Sequence, residues 1–257
     1  MGVTKLGLPL EYKKLPQYFD AWNTSDTTQA KNSVIEKLIK KYSIQTILDL
    51  TCGTGSQVFF LAARGYSVTG ADFSPALLEL ARTRALREKV DIKFIDGDMR
   101  ALKVGTFDAV ITIFNAIGHL TKAGFEKALR NIHRNLKDGG IYIFDILNLE
   151  AMTQRAVANL AYYVHKKIDN TQILATQCSI IDTARGILTS YDSYLIQQNA
   201  NKPESFHHKF SLQLYTAREL QEILARNGFE IVSHCGIDGE AFIKDKTLNI
   251  LTVARKK

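Results

Sequence analysis

The sequence predicts a doubly wound α/β fold, in which a mainly parallel sheet is covered by helices on both faces. Short, almost continuously apolar runs alternate along the chain with segments whose apolar residues recur at helical spacing. Such runs are typical of strands buried on both faces, and these strands are joined by right-handed crossover helices. A hydrophobic fraction of 46% and a charged fraction of 23% are those of an ordinary globular protein. Pattern and composition thus agree on an α/β core.

The alternation predicts each core element in turn. In chain order these are a helix from residue 34, a strand at 46–50, a helix at 56–64, a strand at 67–71, a helix at 75–87, strands at 92–95 and 107–114, a helix through 125–136 and a strand at 141–146. Ser74 and Pro75 supply an N-cap and a first-turn proline for the third helix. The run Asp138-Gly139-Gly140 is expected to end the fourth helix.

The C-terminal part of the chain returns to the core pattern. Thr216 and Glu219 form the capping-box pattern that opens a helix, and Asn227-Gly228 ends it. Apolar runs at 229–234 and 248–254 then predict a hairpin that completes the same sheet. The predicted organisation is a ligand-binding core at 1–147, an insertion at 148–215 and a C-terminal segment at 216–257 that belongs to the core.

The insertion has a different pattern from the core. A short helical pattern at 151–160 precedes β-rich runs such as 178–182 and 187–196. Open α/β sheets bind ligands at the carboxyl ends of their strands, and the insertion follows the fifth strand at that edge. We therefore expect a β-rich lid that shapes a substrate site. A plain extension of the sheet edge is the alternative.

Charge and cysteine content limit the function classes. The formal charge is +7, but the basic residues are scattered in small groups, so a nucleic-acid partner is not favoured. No stretch is apolar and long enough to span a membrane, and residues 1–10 lack the core of a secretion signal. Cys52, Cys178 and Cys235 fit neither a metal knuckle nor a disulfide framework. We expect a cytoplasmic protein with no metal, and the sequence carries no signal for an oligomeric state.

A glycine-rich turn after the first strand indicates a ligand site. Gly53 and Gly55 let the backbone approach a ligand closely, but Val58 occupies the third glycine position of a dinucleotide-binding turn. Asp49 ends the preceding strand, where a carboxylate would repel a pyrophosphate and would accept hydrogen bonds from an ammonium group. The expected ligand therefore carries a cation here.

Further acids follow the next strands. Asp72 ends the second strand at about the spacing where an acid receives ribose hydroxyls. Asp98 and Met99, after the third strand, offer an acceptor and an apolar contact suited to the amino group and the ring of adenine. An adenosine joined to an amino-acid cation is S-adenosylmethionine, whereas NAD lacks that cation.

With these motifs in order across nearly the whole sequence, the chain resembles the class I S-adenosylmethionine-dependent methyltransferases. The resemblance implies a Rossmann-like fold with a mainly parallel sheet of seven strands. It implies that Asp49, Gly53 and Gly55 hold the methionine moiety and Asp72 the ribose. The remaining cofactor contacts that it implies are Phe73 and Met99 at the adenine faces, Asp98 at the adenine amino group, Thr51 in place of the commonest glycine, and Phe114, Asn115 and the N-terminal aromatic residue Tyr18.

Residues 110–120 are similar to the corresponding stretch of glycine and amino-sugar N-methyltransferases. By that resemblance Asn148, after the fifth strand, and Tyr163, in the lid, are candidate contacts to an acceptor. The Asn/Asp-Pro-Pro-Tyr/Phe motif of enzymes that methylate bases or glutamine amides is absent, because Ala116 and Ile117 follow Asn115. We expect S-adenosylmethionine as the cofactor and a small molecule, most simply an amine, as the methyl acceptor.

His119 is the candidate base, because an imidazole with a near-neutral pKa can take the proton of an amine. The alternative for His119 is a structural or helix-capping role. For Asn148 the alternative is a plain turn residue, and for Tyr18 it is packing at the protein surface. An O-methyltransferase or a nucleic-acid methyltransferase also remains open. The missing third glycine argues against an NAD-dependent oxidoreductase. The intact acids and glycines of the turn argue against an inactive binding protein.

Overall fold

The computed structural model describes residues 6–22, 25–154 and 159–257. Its main sheet has seven strands, in chain order β1 (Thr46–Asp49), β2 (Ser67–Asp72), β3 (Lys93–Asp96), β4 (Phe107–Thr112), β5 (Leu136–Leu147), β10 (Phe229–Gly236) and β11 (Asn249–Lys256). Their spatial order is β10-β11-β5-β4-β1-β2-β3. The first five strands pair in parallel, whereas β11 pairs antiparallel with both β5 and β10. The predicted doubly wound, seven-stranded fold is confirmed.

Helices cover both faces of this sheet: α1 (Ser25–Ile39), α2 (Ser56–Ala62), α3 (Pro75–Glu88), α4 (Lys122–Asn135) and α6 (Ala217–Arg226). Successive residues of one strand point to opposite faces. Leu48 thus packs into a core with α4 and α6, while its neighbour Ile47 packs into a second core with α1, α2 and α3. Both side chains are fully buried, which explains why the strands read as continuous apolar runs.

The insertion forms a separate antiparallel sheet of four strands: β6 (Asn159–Ile168), β7 (Thr171–Asp182), β8 (Ile187–Gln198) and β9 (Glu204–Gln213). A short helix, α5 (Leu149–Gln154), leads into it from β5. Of the helical pattern predicted at 151–160, residues 151–154 belong to α5, residues 155–158 lie outside the described part of the chain, and residues 159 and 160 belong to β6. The expected β-rich character of the insertion is confirmed.

Two predicted boundaries were wrong. The first helix begins at Ser25, well before residue 34. The fourth helix ends at Asn135, so Asp138-Gly139-Gly140 lies beyond it, inside the residues assigned to β5. There the register with β4 shifts, since Phe107 pairs with Leu136 but Ala109 pairs with Ile141. The extra residues between the two pairs form a bulge, and Gly139 adopts the positive φ of 72° that this bulge requires.

The N-terminal segment lies between the lid and the core. It contains two 3₁₀ helices, Leu10–Tyr12 and Pro16–Trp22. Leu10 and Leu15 are buried against lid residues such as Ile173. On the core side, Ser74 donates a hydrogen bond of 2.7 Å to the carbonyl oxygen of Tyr12. The segment thus connects the lid to the carboxyl edge of the parallel strands.

Candidate active site

The carboxyl ends of β1, β2 and β4 open into a cavity of about 1190 Å³. The N-terminal segment, the glycine-rich turn, the loops after β3 and β4 and the lid strand β9 surround it. Of the residues predicted from the sequence, those that line it are Thr51, Gly53, Asp72, Phe73, Asp98, Met99, Phe114 and His119. The fold therefore brings most of the predicted site to one place, as expected for the carboxyl edge of an open parallel sheet.

The glycine-rich turn is held open by backbone conformations that favour glycine. Gly53 has a φ of 52° and Gly55 a φ of 91°. A Cβ atom on Gly55 would lie 2.7 Å from the ring of Phe59. Asp72 fixes the turn from the next strand, because its Oδ2 accepts a hydrogen bond of 2.9 Å from the N–H of Gly53. The turn is thus shaped by its own sequence and by the neighbouring strand.

Asp49 lies beneath this turn and is fully buried. Its Oδ1 accepts a hydrogen bond of 3.0 Å from the N–H of Thr51, while its Oδ2 has no partner. Burial raises the pKa of the carboxyl group to about 8, although the Thr51 hydrogen bond opposes this rise. The Thr51 hydroxyl is also buried without a partner. Two polar atoms under the turn therefore lack the donor or acceptor that buried groups ordinarily have.

Asp72 is buried at the end of β2, and its pKa is raised to about 6 by burial against the effect of its backbone hydrogen bonds. Besides Gly53, it accepts a bond of 2.8 Å from the N–H of Ser74. A carboxylate has further lone pairs beyond these two bonds, so it can still receive a ligand hydroxyl.

Aromatic side chains of the N-terminal segment cover the turn. The Phe19 ring comes within 3.3 Å of the position of a Cβ on Gly53. The Tyr12 ring stacks on Phe73 with 5.7 Å between centroids. Tyr18, the residue expected here, instead packs against the buried lid cluster around Ile173 and does not line the cavity in the described part of the chain. The aromatic residue that covers the turn is therefore Phe19 and not Tyr18, because adjacent residues on a 3₁₀ helix point in different directions.

The loops after β3 and β4 complete the wall of the cavity. Met99 is buried, and both carboxylate oxygens of Asp98 accept hydrogen bonds from Arg100, which lowers the pKa of Asp98. Phe114 and Asn115 both adopt left-handed conformations, with φ values of 63° and 56°. Such a conformation is strained for Phe114, and strain of this kind concentrates at functional sites.

Asn115 does not line the larger cavity, and its polar groups hold the strand ends together. Its N–H donates to Asp145 Oδ1 and its Oδ1 accepts from the N–H of Leu147, both at 3.0 Å. Its role in the structure is therefore to fix the loop that carries Phe114.

His119 ends a 3₁₀ helix, Ala116–His119, after β4. Its ring contacts Tyr12, with 5.5 Å between centroids, and the lid residue Phe210, with 6.2 Å between centroids. Its Nδ1 is buried without a hydrogen-bond partner, and burial lowers the pKa of the imidazole to about 4. The ring is therefore neutral at pH 7 and can accept a proton or a hydrogen bond at the junction of turn, lid and N-terminal segment.

The structure places the other two candidate acceptor contacts outside the cavity. The Asn148 side chain is fully buried; its amide donates to the carbonyl oxygens of Lys244 and Thr247, and its Oδ1 accepts from the N–H of Glu150. It is a turn and capping residue, since its polar atoms are used within the fold. Tyr163 lies on β6 with 61% of its surface exposed.

Several cavity residues were missed by the sequence analysis. Asn32 and Gln57 are buried in its wall, and Asn32 Oδ1 and Gln57 Nε2 have no hydrogen-bond partner. On the lid, His207 and His208 line the cavity as well. A polar residue within an apolar helical pattern is the only signal that marks Gln57 in the sequence, and it is weak. Of the two arginines in the insertion, Arg185 pairs with Asp182, and Arg155 lies outside the described residues.

Comparisons with known proteins agree with this geometry. The family described as "Methyltransferase domain" matches residues 47–140. The chain carries a methyltransferase domain. This match covers 94 of the 257 residues; together with the fold it supports the predicted S-adenosylmethionine-dependent methyltransferase and its cofactor.

Three similar proteins illustrate the relation. The chain is 29% identical over 142 residues to a putative methyltransferase of Geobacillus sp., which covers 53% of this chain and 58% of that protein. It is 26% identical over 211 residues to glycine N-methyltransferase of Homo sapiens, covering 74% of this chain and 71% of that protein. An amino pentose methyltransferase from Micromonospora echinaspora, solved with S-adenosylmethionine bound, has a TM-score of 0.74 at 20% identity and covers 100% of both chains.

The residues of the cavity, together with Asp49, which is buried beneath the turn and does not itself line the cavity, fit the cofactor. Asp49 Oδ2 is a buried acceptor without a donor, as expected where an ammonium group binds. Gly53 has no Cβ that would stand between the turn and a ligand, and its positive φ favours glycine at this position. Asp72 would hold the ribose, and Phe73 and Met99 would contact the adenine. Among the described residues no cluster of His, Cys, Asp and Glu could hold a metal, and no helix is long and apolar enough to cross a bilayer.

Proposed function

We propose that this methyltransferase transfers the methyl group of S-adenosylmethionine to the nitrogen of a small-molecule amine. The observation that carries the proposal is the neutral, unpartnered imidazole of His119 at the cavity wall, under the lid. Proteins similar to this chain include an amino pentose methyltransferase and a glycine N-methyltransferase, and the name of the second states transfer to nitrogen. The lid strand β9 and the N-terminal segment cover the cavity, which favours a small acceptor over a polymer.

When bound, S-adenosylmethionine supplies a methyl group on a positively charged sulfur atom, which is already activated toward a nucleophile. The protein's task is then mainly to orient the acceptor and to exclude water. An amine attacks only through its neutral form, so its proton must leave. That proton goes to solvent, because an imidazole with a pKa of about 4 is too weak a base to take it. His119 Nδ1 can instead accept a hydrogen bond from the neutral amine, and the aromatic rings of Tyr12 and Phe210 hold the imidazole in place.

The proposal is tested with the purified protein, labelled S-adenosylmethionine and a panel of small amines and hydroxyl compounds. We expect transfer to amines, and we expect His119→Asn to lower kcat at least about tenfold, the loss expected when one hydrogen bond that orients the acceptor is removed. Binding of S-adenosylhomocysteine, measured by calorimetry, should remain unchanged in this variant. His165→Asn, in the exposed part of β6, is the matched control and should keep full activity.

Two results would count against the proposal. Transfer to hydroxyl compounds alone would assign the enzyme to the O-methyltransferases. A His119→Asn variant with the kcat of the unchanged protein would show that His119 does not orient the acceptor.

A further inference from the structure

A second cavity, of about 340 Å³, lies between the lid and the core beside the cofactor cavity. Pro9, Tyr12, Phe19 and Phe114 line both cavities, so the two spaces share a wall. The volume is at the lower end of the range for small-molecule sites, about 300–1,000 Å³. A molecule in this cavity would therefore adjoin the larger cavity across these residues.

The smaller cavity is acidic. Glu11, Asp145 and Asp192 line it and are only 6%, 2% and 4% exposed. Lys31 is the one Lys or Arg among its described lining residues, and its Nζ lies 4.8 Å from the centre of the Phe114 ring. Buried carboxylates are ordinarily paired, so this excess of negative charge calls for a further cation.

Two of these carboxylates converge on one hydroxyl group. Tyr194 Oη donates a hydrogen bond of 2.7 Å to Glu11 Oε1 and lies 3.5 Å from Asp192 Oδ2. A phenol has only one proton, and the longer contact is too weak to satisfy a carboxylate oxygen. Gln177 Nε2 donates a hydrogen bond of 2.8 Å to Asp192 Oδ1. Asp192 Oδ2 is thus the oxygen left for a donor from a ligand.

The remaining walls also suit a cation. The rings of Tyr12, Phe19, Phe114 and Phe210 line the cavity together with Tyr194. Aromatic faces attract ammonium groups, and they accept methylated ammonium as readily because the attraction needs no hydrogen bond. A box of rings and carboxylates therefore fits both an amine and its methylated product.

The electrostatics of Asp145 and Asp192 agree with this reading. Burial raises the pKa of both carboxyl groups, and the charge of Glu11 raises that of Asp192 further. Lys31 acts in the opposite direction on Asp145, and His208, the cross-strand partner of Asp192, does so on Asp192. The groups already present leave a net cost of ionisation that a bound ammonium would reduce.

We propose that this second cavity holds the part of the acceptor beyond its reacting amine, which faces His119 in the cofactor cavity across the shared residues Tyr12 and Phe114, and that it selects a small amine with further hydrogen-bond donors and no carboxylate, such as an amino sugar or a diamine. The inference rests on the proposed function and narrows its substrate class. An amino acid would bring a carboxylate beside Glu11, Asp145 and Asp192, and Lys31, the one Lys or Arg among the described lining residues, already offsets the charge of Asp145. Hydroxyl and amine donors would instead reach Asp192, Gln177 and Asn249.

The test compares transfer to glucosamine, ethanolamine and putrescine with transfer to glycine, sarcosine and β-alanine. We expect the first group to be preferred at least tenfold in kcat/KM. Asp192→Asn and Glu11→Gln keep the side-chain shape and remove a charge, and each should lower kcat/KM for the preferred amine at least about thirtyfold. Asp182→Asn, at the exposed end of β7, is the matched control and should change nothing.

Calorimetry with S-adenosylhomocysteine and thermal unfolding show whether each variant is folded and binds the cofactor. A preference for the amino acids, or unchanged kcat/KM in both folded pocket variants, would overturn the inference and leave the amine methyltransferase in place. No transfer to any amine by protein that binds S-adenosylhomocysteine would overturn the proposed function, and the inference with it.

Discussion

Replacing Asp49 with Asn should stabilise the ligand-free protein at pH 8. The carboxyl group is fully buried, and its Oδ2 has no partner. Burial raises its pKa from 3.8 to about 8. The folded chain therefore binds this proton more tightly than the unfolded chain, so its contribution to stability is complete below pH 4 and is lost as the pH rises through about 8.

The size of the effect follows from the two pKa values. At about 1.4 kcal/mol per pKa unit, the difference between 3.8 and about 8 corresponds to about 6 kcal/mol well above pH 8, and to about 5 kcal/mol at pH 8, where half of the folded carboxyl groups are still protonated. An Asn amide can still accept the hydrogen bond of Thr51 N–H, but it leaves an N–H group unpaired at a cost of about 1–3 kcal/mol. We therefore expect Asp49→Asn to gain about 2–4 kcal/mol at pH 8 and to gain nothing at pH 4.

Urea denaturation of both proteins between pH 4 and pH 8 measures this difference. Asp138→Asn is the control, because the Asp138 side chain is 97% exposed and should give a difference that hardly changes over this range. A stability difference for Asp49→Asn that stays constant between pH 4 and pH 8, or a loss of stability at pH 8, would refute the reasoning.

The same substitution should weaken the binding of S-adenosylmethionine. The amide cannot form the charge-assisted hydrogen bond that the carboxylate offers to an ammonium group, so we expect a loss of at least about tenfold in affinity by calorimetry at pH 8. A more stable protein with poorer cofactor binding is the expected combination. Unchanged affinity would show that Asp49 supports the turn only.

Three further predictions concern stability. Gly55→Ala should cost about 2–4 kcal/mol in urea denaturation, because its Cβ would lie 2.7 Å from the Phe59 ring at a φ of 91°. Gly65→Ala, with a φ of 89° and open space, should cost only about 1–2 kcal/mol, and equal losses would show that the ring moves freely. Thr216→Ala should cost about 1 kcal/mol by removing the N-cap of α6, whereas Thr216→Ser should restore most of it. Asp108→Asn should cost about 2 kcal/mol at pH 7, because Asp108 accepts hydrogen bonds from the Gln45 and Thr46 backbone and from Lys137. These contacts lower the Asp108 pKa, so its contribution is present above pH 3.8 and the cost should shrink as the pH falls below that value; a constant cost down to pH 3 would contradict it.

The core and most of the cofactor site could be predicted from the sequence because their signals are local. Buried strands such as β1 read as apolar runs, and the Ser74 and Thr216 caps lie within a few residues of the groups that they satisfy. The relevant positions are strand ends and a turn, occupied by Asp49, Asp72 and Gly53. Parallel strands bring their carboxyl ends to one edge of the sheet, and this does not depend on the conformation of the loops. Position along the chain was therefore enough to place them.

The acceptor residues could not be predicted in the same way. Asn148 and Tyr163 follow the expected order in the sequence. The Asn148 amide, however, donates its hydrogen bonds to backbone carbonyl oxygens of residues 244 and 247, and Tyr163 is exposed. Tyr18 and Phe19 differ by one position, and the direction of a 3₁₀ helix decides which of them covers the turn.

The sequence by itself determined the class of this protein: the strand and helix order, the glycine-rich turn and the acids that follow each strand. Only the tertiary structure decided where the acidic cavity lies and what forms it. Glu11 and Asp192 are far apart in the chain and meet through Tyr194 because the lid sheet folds back onto the N-terminal segment. The physical reason is that strand ends follow from local hydrogen bonding, whereas the contact between lid and N-terminal segment is a packing of distant surfaces that no local pattern encodes.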